Sequence, residues 1–356
     1  MLESTLATTA DRTCSTVNCP TLSLHRLDSF LTLEADWKTL LGQCSHDTIF
    51  LTWEWQRLWW QVCGEGELHL LAIREGDELA GIAPLMRVDG VWGFAGGVEV
   101  ADFLDVITSP FHARGVAEAV LDYLQQFGGD AEFRNLRPDS IGATLLLEEA
   151  RRRGIAATID QEDVSPRVEL PSDWEEYLQS LTKKDRHELR RKMRRLLSSG
   201  DVRYVTSNDP ATRERDVEDF IRLHRLSAPE KASFMTPLMA RFFHALVDEF
   251  APRGWLRLYF LEIDGVRVAA VVLFDYGGEF LLYNSGYDPA HAHLSTGLLL
   301  KAFCLRDAIA EGRRVFDFLQ GNEPYKYDLG ARDVPILRVR LSLGGPARTG
   351  EVSGFV

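Results

Sequence analysis

Cysteine is scarce in this sequence, and what there is follows no pattern. Cys14, Cys19, Cys44, Cys63 and Cys304 stand in 356 positions without a CxxC pair. An odd, scattered set of this kind argues against a disulfide framework or a zinc knuckle, and no metal is expected. No apolar run approaches the roughly 20 residues that a membrane helix needs. The first twenty residues carry Glu3 and Asp11, lack an apolar stretch and are rich in Ser and Thr. They read as a loose tail rather than a secretory signal. Together these absences lead to the expectation of a cytoplasmic protein. There is no GxSxG and no P-loop, so no activated serine and no nucleotide cradle is visible. Positive charge is also short: 40 Lys and Arg oppose 53 Asp and Glu, a net −13, which makes nucleic acid an unexpected partner.

What is present is a chain with 45% hydrophobic residues, enough for ordinary cores in two domains or one large one. The charge is uneven. Residues 1–165 hold 12 basic and 26 acidic residues, a balance of −14, whereas residues 166–356 balance at +1. The second half is therefore the better host for an anionic ligand.

The sequence also repeats. Residues 68–94 (LHLLAIREGDELAGIAPLMRVDGVWGF) and 256–283 (LRLYFLEIDGVRVAAVVLFDYGGEFLLY) each read as three strands joined by Gly- and Asp-bearing turns. Each is followed by a loop, an apolar helix (113–129; 295–312) and a short strand, AEFRNL at 131–136 or RVFDFL at 314–319. Phe133 to Phe316 and Gly115 to Gly297 are offset by nearly the same distance, so two independent elements agree on one duplication. Helices precede both copies. The expected plan is helices, three antiparallel strands, helix, strand and further strand, performed twice. The boundary falls near Pro166.

This order resembles the acyl-CoA N-acyltransferase (GNAT) superfamily, and within it the tandem CelD-like family, with the Fem aminoacyltransferases as relatives. In the first half the resemblance rests on FLTWEWQRLWW, GIAPL at 81–85 and DFLD at 102–105. In the second it rests on the basic helix 183–195, YNSGYDPAHAHLSTG at 283–297 and FDFLQGNEPYK at 316–326. It implies an α/β (α+β) protein of two tandem GNAT-like domains, each a mostly antiparallel mixed sheet flanked by helices. The expected division is a tail over 1–22, a degenerate N-terminal domain over 23–165, a catalytic domain over 166–343 and a tail over 344–356. It further implies an acyltransferase that moves an acyl group, acetyl first, from acyl-CoA to an amine or hydroxyl. The acceptor is a small molecule, saccharide or peptide-like group. The alternatives are a Fem-type aminoacyl-tRNA-dependent transferase and a non-catalytic binding protein of the same fold. The Fem-type reading predicts a long coiled-coil insertion, of which the sequence has no sign.

Three segments carry candidate chemistry. In this fold the cofactor pyrophosphate lies at the N-terminus of the helix after the third strand, where unpaired N–H groups and the positive helix end meet anions. Here that helix opens at Ser295-Thr296-Gly297: Ser295 is a good N-cap, and Gly297 is expected to let phosphate approach the backbone. Only one Gly is present where the superfamily has a longer Gly-rich run. Tyr283, Asn284 and Ser285 on the preceding strand complete the expected cofactor contacts. The helix 183–195 bears eight Lys and Arg; Arg186, Arg190 and Arg194 share one face and are expected to meet an anionic ligand. Finally, QGNEPYKYDLG at 320–330 crowds Glu323, Tyr325, Lys326, Tyr327 and Asp328 beyond the strand FDFL. Transfer from a thioester needs a base, an oxyanion donor and a donor to the thiolate. Glu323 or Asp317 is the candidate base, Tyr325 or Tyr327 the acid, with Tyr327 also an acceptor contact. Lys326, at the place of an aromatic-Lys pair in Fem-type relatives, is the candidate for charge stabilisation. Its replacement by Met is expected to leave folding nearly unaffected. His291 and His293 read as a solvated loop, Cys304 as a buried thiol, and Trp53, Trp55, Trp59 and Trp60 as core.

Overall fold

A computed structural model describes residues 22–207 and 209–344. Nearly all of the two expected tails, with Cys14 and Cys19, lies outside the described residues. The first half runs β1 (Leu22–Leu27), α1 (Glu34–Leu41), α2 (Trp53–Cys63), β2 (Glu67–Glu75), β3 (Glu78–Val88), β4 (Val91–Phe94), β5 (Ile107–Thr108), α3 (Ala113–Phe127), β6 (Asp130–Leu136), α4 (Leu145–Arg152) and β7 (Ala156–Glu169). The second runs α5 (Trp174–Ser180), α6 (Lys183–Leu197), β8 (Val202–Ser207), α7 (Arg213–Ser227), α8 (Pro229–Phe234), α9 (Pro237–Phe250), β9 (Leu256–Ile263), β10 (Val266–Tyr276), β11 (Glu279–Tyr287), α10 (Thr296–Ala310), β12 (Val315–Asp317), α11 (Pro324–Asp328) and β13 (Arg332–Ser342).

The turn chemistry explains the hairpins. Asp89-Gly90, Asp264-Gly265 and Gly277-Gly278 all take positive φ, between 50° and 82°, as two-residue turns of the type that matches strand twist require. Long helices start where the sequence offers caps: Thr52, Thr182 and Thr236 each accept a hydrogen bond from a first-turn N–H.

All strands join one sheet in the order β1-β2-β3-β4-β6-β13-β7-β12-β11-β10-β9-β8, with β5 on β3. Most pairs are antiparallel; β4–β6 and β11–β12 are parallel. The halves exchange their last strands. β7 ends the first half yet pairs with β12 of the second, and β13 ends the second half yet pairs with β6 of the first. β7 and β13 then pair with each other from Ala156↔Ser342 to Arg167↔Arg332. Pro166, where the sequence suggests a boundary, lies inside β7.

In the second half, alternation along β10 divides two cores. Ala270, Val272 and Phe274 pack with α2, α7 and α9, whereas Ala269, Val271 and Leu273 pack with α5, α6 and α10. Trp53, Trp55 and Trp59 are buried. Trp55 is the joint between halves: its ring lies 5.8–6.3 Å from those of Phe242, Phe250, Phe274 and Tyr283. Aromatic contacts of this kind add to the area that the rings bury.

Candidate active site

The site begins where two strands part. β11 pairs with β12 only from Glu279↔Val315 to Leu281↔Asp317. β11 then runs on to Tyr287 without a partner on that edge. Its pairing with β10 also slips between Val272 and Leu273, so Tyr283 is an extra, bulged residue. Bulges bend a strand and re-aim its side chains. Beyond the divergence lies a cavity of about 580 Å³.

One end of the cavity is the N-terminus of α10. Thr296 is fully buried and its Oγ1 has no hydrogen-bond partner. Ser295 occupies the N-cap position at φ 59° but its side chain does not cap the helix. Instead its Oγ accepts from Arg195 Nη2 at 3.2 Å, while the buried Arg195 Nε is itself without a partner. Lys192 lines the same end. An unspent helix end, an orphan hydroxyl and two cations make a place for an anion. Gly297 has a reason beyond phosphate approach: a Cβ there would sit 3.1 Å from the Tyr287 ring.

The basic helix therefore turns another face to the cavity than the i, i+4 spacing suggests. Arg186 donates to the carbonyls of Leu178 and Gln179, Arg190 pairs with Glu175 at 2.6 Å, and Arg194 is exposed. None of the three lines the cavity. Leu189 and Leu196 are buried against the core, and this orientation brings Lys192 and Arg195, on the flank of the apolar stripe, to the ligand end.

The other end holds 318–326. Asp317 does not line the cavity; its Oδ1 accepts from Ser165 Oγ at 2.7 Å and from the Leu319 N–H at 2.8 Å. Tyr327 is likewise outside it, exposed and donating to Asp333 Oδ1 at 2.8 Å. Glu323 and Tyr325 do line it, and burial pushes the Tyr325 phenol upward. Lys326 lines it too, but is buried with only 1% exposure. Its Nζ donates to the carbonyls of Leu319 (2.9 Å), Gln320 (2.7 Å) and Gly321 (2.9 Å) and lies 2.9 Å from Glu323 Oε2. Leu319 sits at φ 57°, a costly conformation for a branched residue. Lys326 thus clamps a strained turn, which argues against the expectation that Lys326→Met would leave folding nearly unaffected.

Four further residues escaped the sequence reading. Asp102, from the DFLD block of the first half, reaches the cavity; its Oδ1 accepts from the Gln320 N–H at 2.9 Å. Burial pushes its carboxyl up to about 7. Lys231 on α8 donates to the Ser285 carbonyl, and burial draws its ammonium down. Lys301 on α10 lines the cavity, as does Lys192. Asp102 stood in the DFLD block and Lys192 in the basic helix, and Lys301 showed as a lone cation in the apolar run LLLKAFCL, whereas Lys231 left no signal. Asn284 Oδ1 accepts from the Ser285 N–H at 3.0 Å. Among the described residues no three His, Cys, Asp or Glu side chains gather as a metal site, and no helix is long and apolar enough to cross a membrane.

Residues 183–327 match a family described as "Acetyltransferase (GNAT) domain". Among solved structures, FemX is similar at 11% identity and TM-score 0.58, covering 89% of this chain and 96% of that one. The C-terminal domain (DUF2156) of a putative lysylphosphatidylglycerol synthetase from Agrobacterium fabrum is similar at 13% identity and TM-score 0.57, covering 88% and 92%. L-PGS from Bacillus licheniformis is similar at 10% identity and TM-score 0.55, covering 86% and 90%. At such identities the likeness is one of fold. No curated relative matches the sequence.

Proposed function

We propose that this protein, whose residues 183–327 match an acetyltransferase (GNAT) domain, is a transferase that moves an acyl group from acyl-CoA directly to an amine or hydroxyl of its acceptor. One observation carries this reading. The unpaired edge of β11 leads to the α10 N-terminus, where Thr296 Oγ1 and Arg195 Nε are buried without partners. Acyl-CoA supplies the activated thioester. Its phosphates suit Thr296, Gly297, Lys192 and Arg195. Its amide-bearing arm suits the open backbone edge at Tyr283–Tyr287, as an added strand would.

Asp102 and Glu323 are the carboxylates that face the cavity. Glu323 is engaged with Lys326, whereas one Asp102 oxygen holds only the Gln320 N–H. Asp102, poised near neutrality, is the better base for an attacking acceptor. No covalent intermediate on the protein is implied. Acetyl-CoA is the donor expected first.

The test is a thermal shift with CoA, acetyl-CoA and longer acyl-CoAs. CoA-dependent stabilisation that Gly297→Asp abolishes is the expected result; equal stabilisation of both proteins places the donor elsewhere. The likeness to FemX over nearly its whole length favours one second reading, an aminoacyl-tRNA donor. Against it, helices among the described residues reach 15 residues at most, so no long coiled-coil arm is present there. A shift with aminoacyl-tRNA and none with CoA would favour this second reading.

A further inference from the structure

Lys301 has no ordinary reason to be a lysine. It lies on α10 among Leu299, Leu300, Ala302, Phe303 and Cys304, all buried, and is itself 6% exposed. Its Nζ has one hydrogen-bond partner, the Gly297 carbonyl of its own helix at 3.2 Å, and stands 4.7 Å from the centroid of the Tyr325 ring. Among the described residues no carboxylate pairs with it. A buried ammonium in that position is costly. It faces the cavity one turn beyond the proposed phosphate end. Lys231 meets the same cavity from α8, which packs on α7.

We propose that Lys301 gives its proton to the sulfur that departs when the acyl group is transferred. This rests on the acyl-CoA reading above. In the step, the acceptor lone pair bonds to the acyl carbon and the carbon–sulfur bond breaks, its electron pair going to sulfur. Sulfur takes a proton from Lys301 Nζ, which is left a neutral amine, and the surplus acceptor proton passes to the Asp102 carboxylate. Solvent then reprotonates Lys301.

The surroundings suit that task. Facing Lys301 are Lys231 from α8, Glu323 just before α11, Tyr325 and Lys326 from α11, and Cys304 from its own helix. Burial first, and Lys231 next, draw its ammonium down to about 7. An ordinary lysine, near 10.4, would keep its proton from a thiolate whose own value is about 8.5, whereas one near 7 releases it downhill. Tyr325, whose phenol burial pushes up, is the weaker acid of the two.

The experiment uses the full chain with acetyl-CoA as donor and hydroxylamine as surrogate acceptor, following released thiol. Lys301→Met and Lys301→Arg are compared with wild type, with melting curves and CoA-induced shifts as controls. Both variants are expected to bind CoA as wild type does and to lose about 100-fold in turnover. Wild-type turnover should peak near pH 7, where Asp102 has lost its proton and Lys301 still keeps one, and Lys301→Met should lack the fall above that maximum. Lys301→Arg keeps a charge that cannot leave, so its failure separates proton donation from simple charge stabilisation. Normal turnover in Lys301→Arg, or an unchanged basic limb in Lys301→Met, overturns the proposal while leaving the acyl-CoA reading intact. A wild type that neither binds CoA nor consumes acetyl-CoA overturns both.

Discussion

Both halves let two parallel strands diverge after the same helix-bearing crossover, yet only one leaves room for a ligand. In the second half β11 and β12 part after three paired residues and the cavity opens. In the first half β4 and β6 part after two, Val91↔Asp130 and Trp92↔Ala131. There the chain itself runs alongside the end of β6. Asn135 Nδ2 donates to the carbonyls of Val98 (2.9 Å) and Ala101 (2.6 Å), its own carbonyl accepts from Leu104 N–H at 3.0 Å, and Phe103 and Leu104 are buried. The hairpins differ as well: β3–β4 pairs without a slip, whereas β11 bulges at Tyr283. Asn135, at the end of β6, and Leu319, just beyond β12, both take the left-handed conformation, at φ 57° each. Asn tolerates it by itself; Leu319 needs the Lys326 clamp. The duplicated plan therefore makes a gap twice, and local sequence decides whether chain or ligand fills it.

The largest expected effect tests that clamp. Lys326→Met strips three carbonyls of their donor and should destabilise the fold by about 3 kcal/mol, read by denaturant melting. Leu319→Asn in the same background, copying the first half, should restore about 1 kcal/mol. A wild-type melting midpoint in Lys326→Met would leave the clamp without energetic weight.

Next is the residue that the first half lends to the second. Asp102→Asn should lower turnover about 100-fold with donor affinity kept. Because the carboxyl is raised to about 7 by burial, it accepts a proton only above that pH. Wild-type turnover should therefore rise with pH up to its maximum near 7, and Asp102→Asn should lose that rise while keeping the fall above it. Undiminished turnover in the variant would return the base to Glu323.

Charge reversal compares two faces of one helix. Lys192→Glu with Arg195→Glu should weaken CoA at least about 10-fold, or roughly 1.4 kcal/mol, and flatten the salt dependence of binding. Arg190→Glu with Arg194→Glu, away from the cavity, should stay within about 0.5 kcal/mol. Equal effects from both pairs would point to long-range attraction instead of a built site.

The smallest effect on the fold comes from matched glycines. Gly297→Asp should cost about 1 kcal/mol by crowding Tyr287 and abolish the CoA shift. Gly115→Asp, its counterpart on α3, meets the Leu22 side chain and should leave that shift untouched. A shift lost in both would give the first half a donor site.

Much of the plan was readable because hairpin turns and helix caps are local. Asp264-Gly265 and Gly277-Gly278 fall at turns, and the helix start at Thr296 follows the expected Ser295. Glu323, Tyr325 and Lys326 were visible as a crowded polar segment after a strand, and the structure brings all three to the cavity wall. The roles within it were not visible. That Lys326 spends its protons on carbonyls, and that Asp317 turns toward Ser165, depend on which way a backbone bends after residue 317. The strand exchange was hidden for a similar reason, since nothing in the residues of β7 says which sheet edge it will meet.

Periodicity, turn residues and the repeat determined by themselves that this chain forms two copies of one strand–helix plan, because those signals act over a few residues. They also determined that the second copy carries the less acidic balance. Tertiary structure alone decided the rest. The apolar stripe of α6 had to bury, and that turned Lys192 and Arg195, rather than Arg186, Arg190 and Arg194, toward the ligand end. The divergence of β11 from β12 left Thr296 Oγ1 and Lys301 Nζ facing one space with Asp102 from the other half. Sequence spacing measures distance along the chain, whereas this site is made of residues about 200 positions apart whose meeting is set by packing.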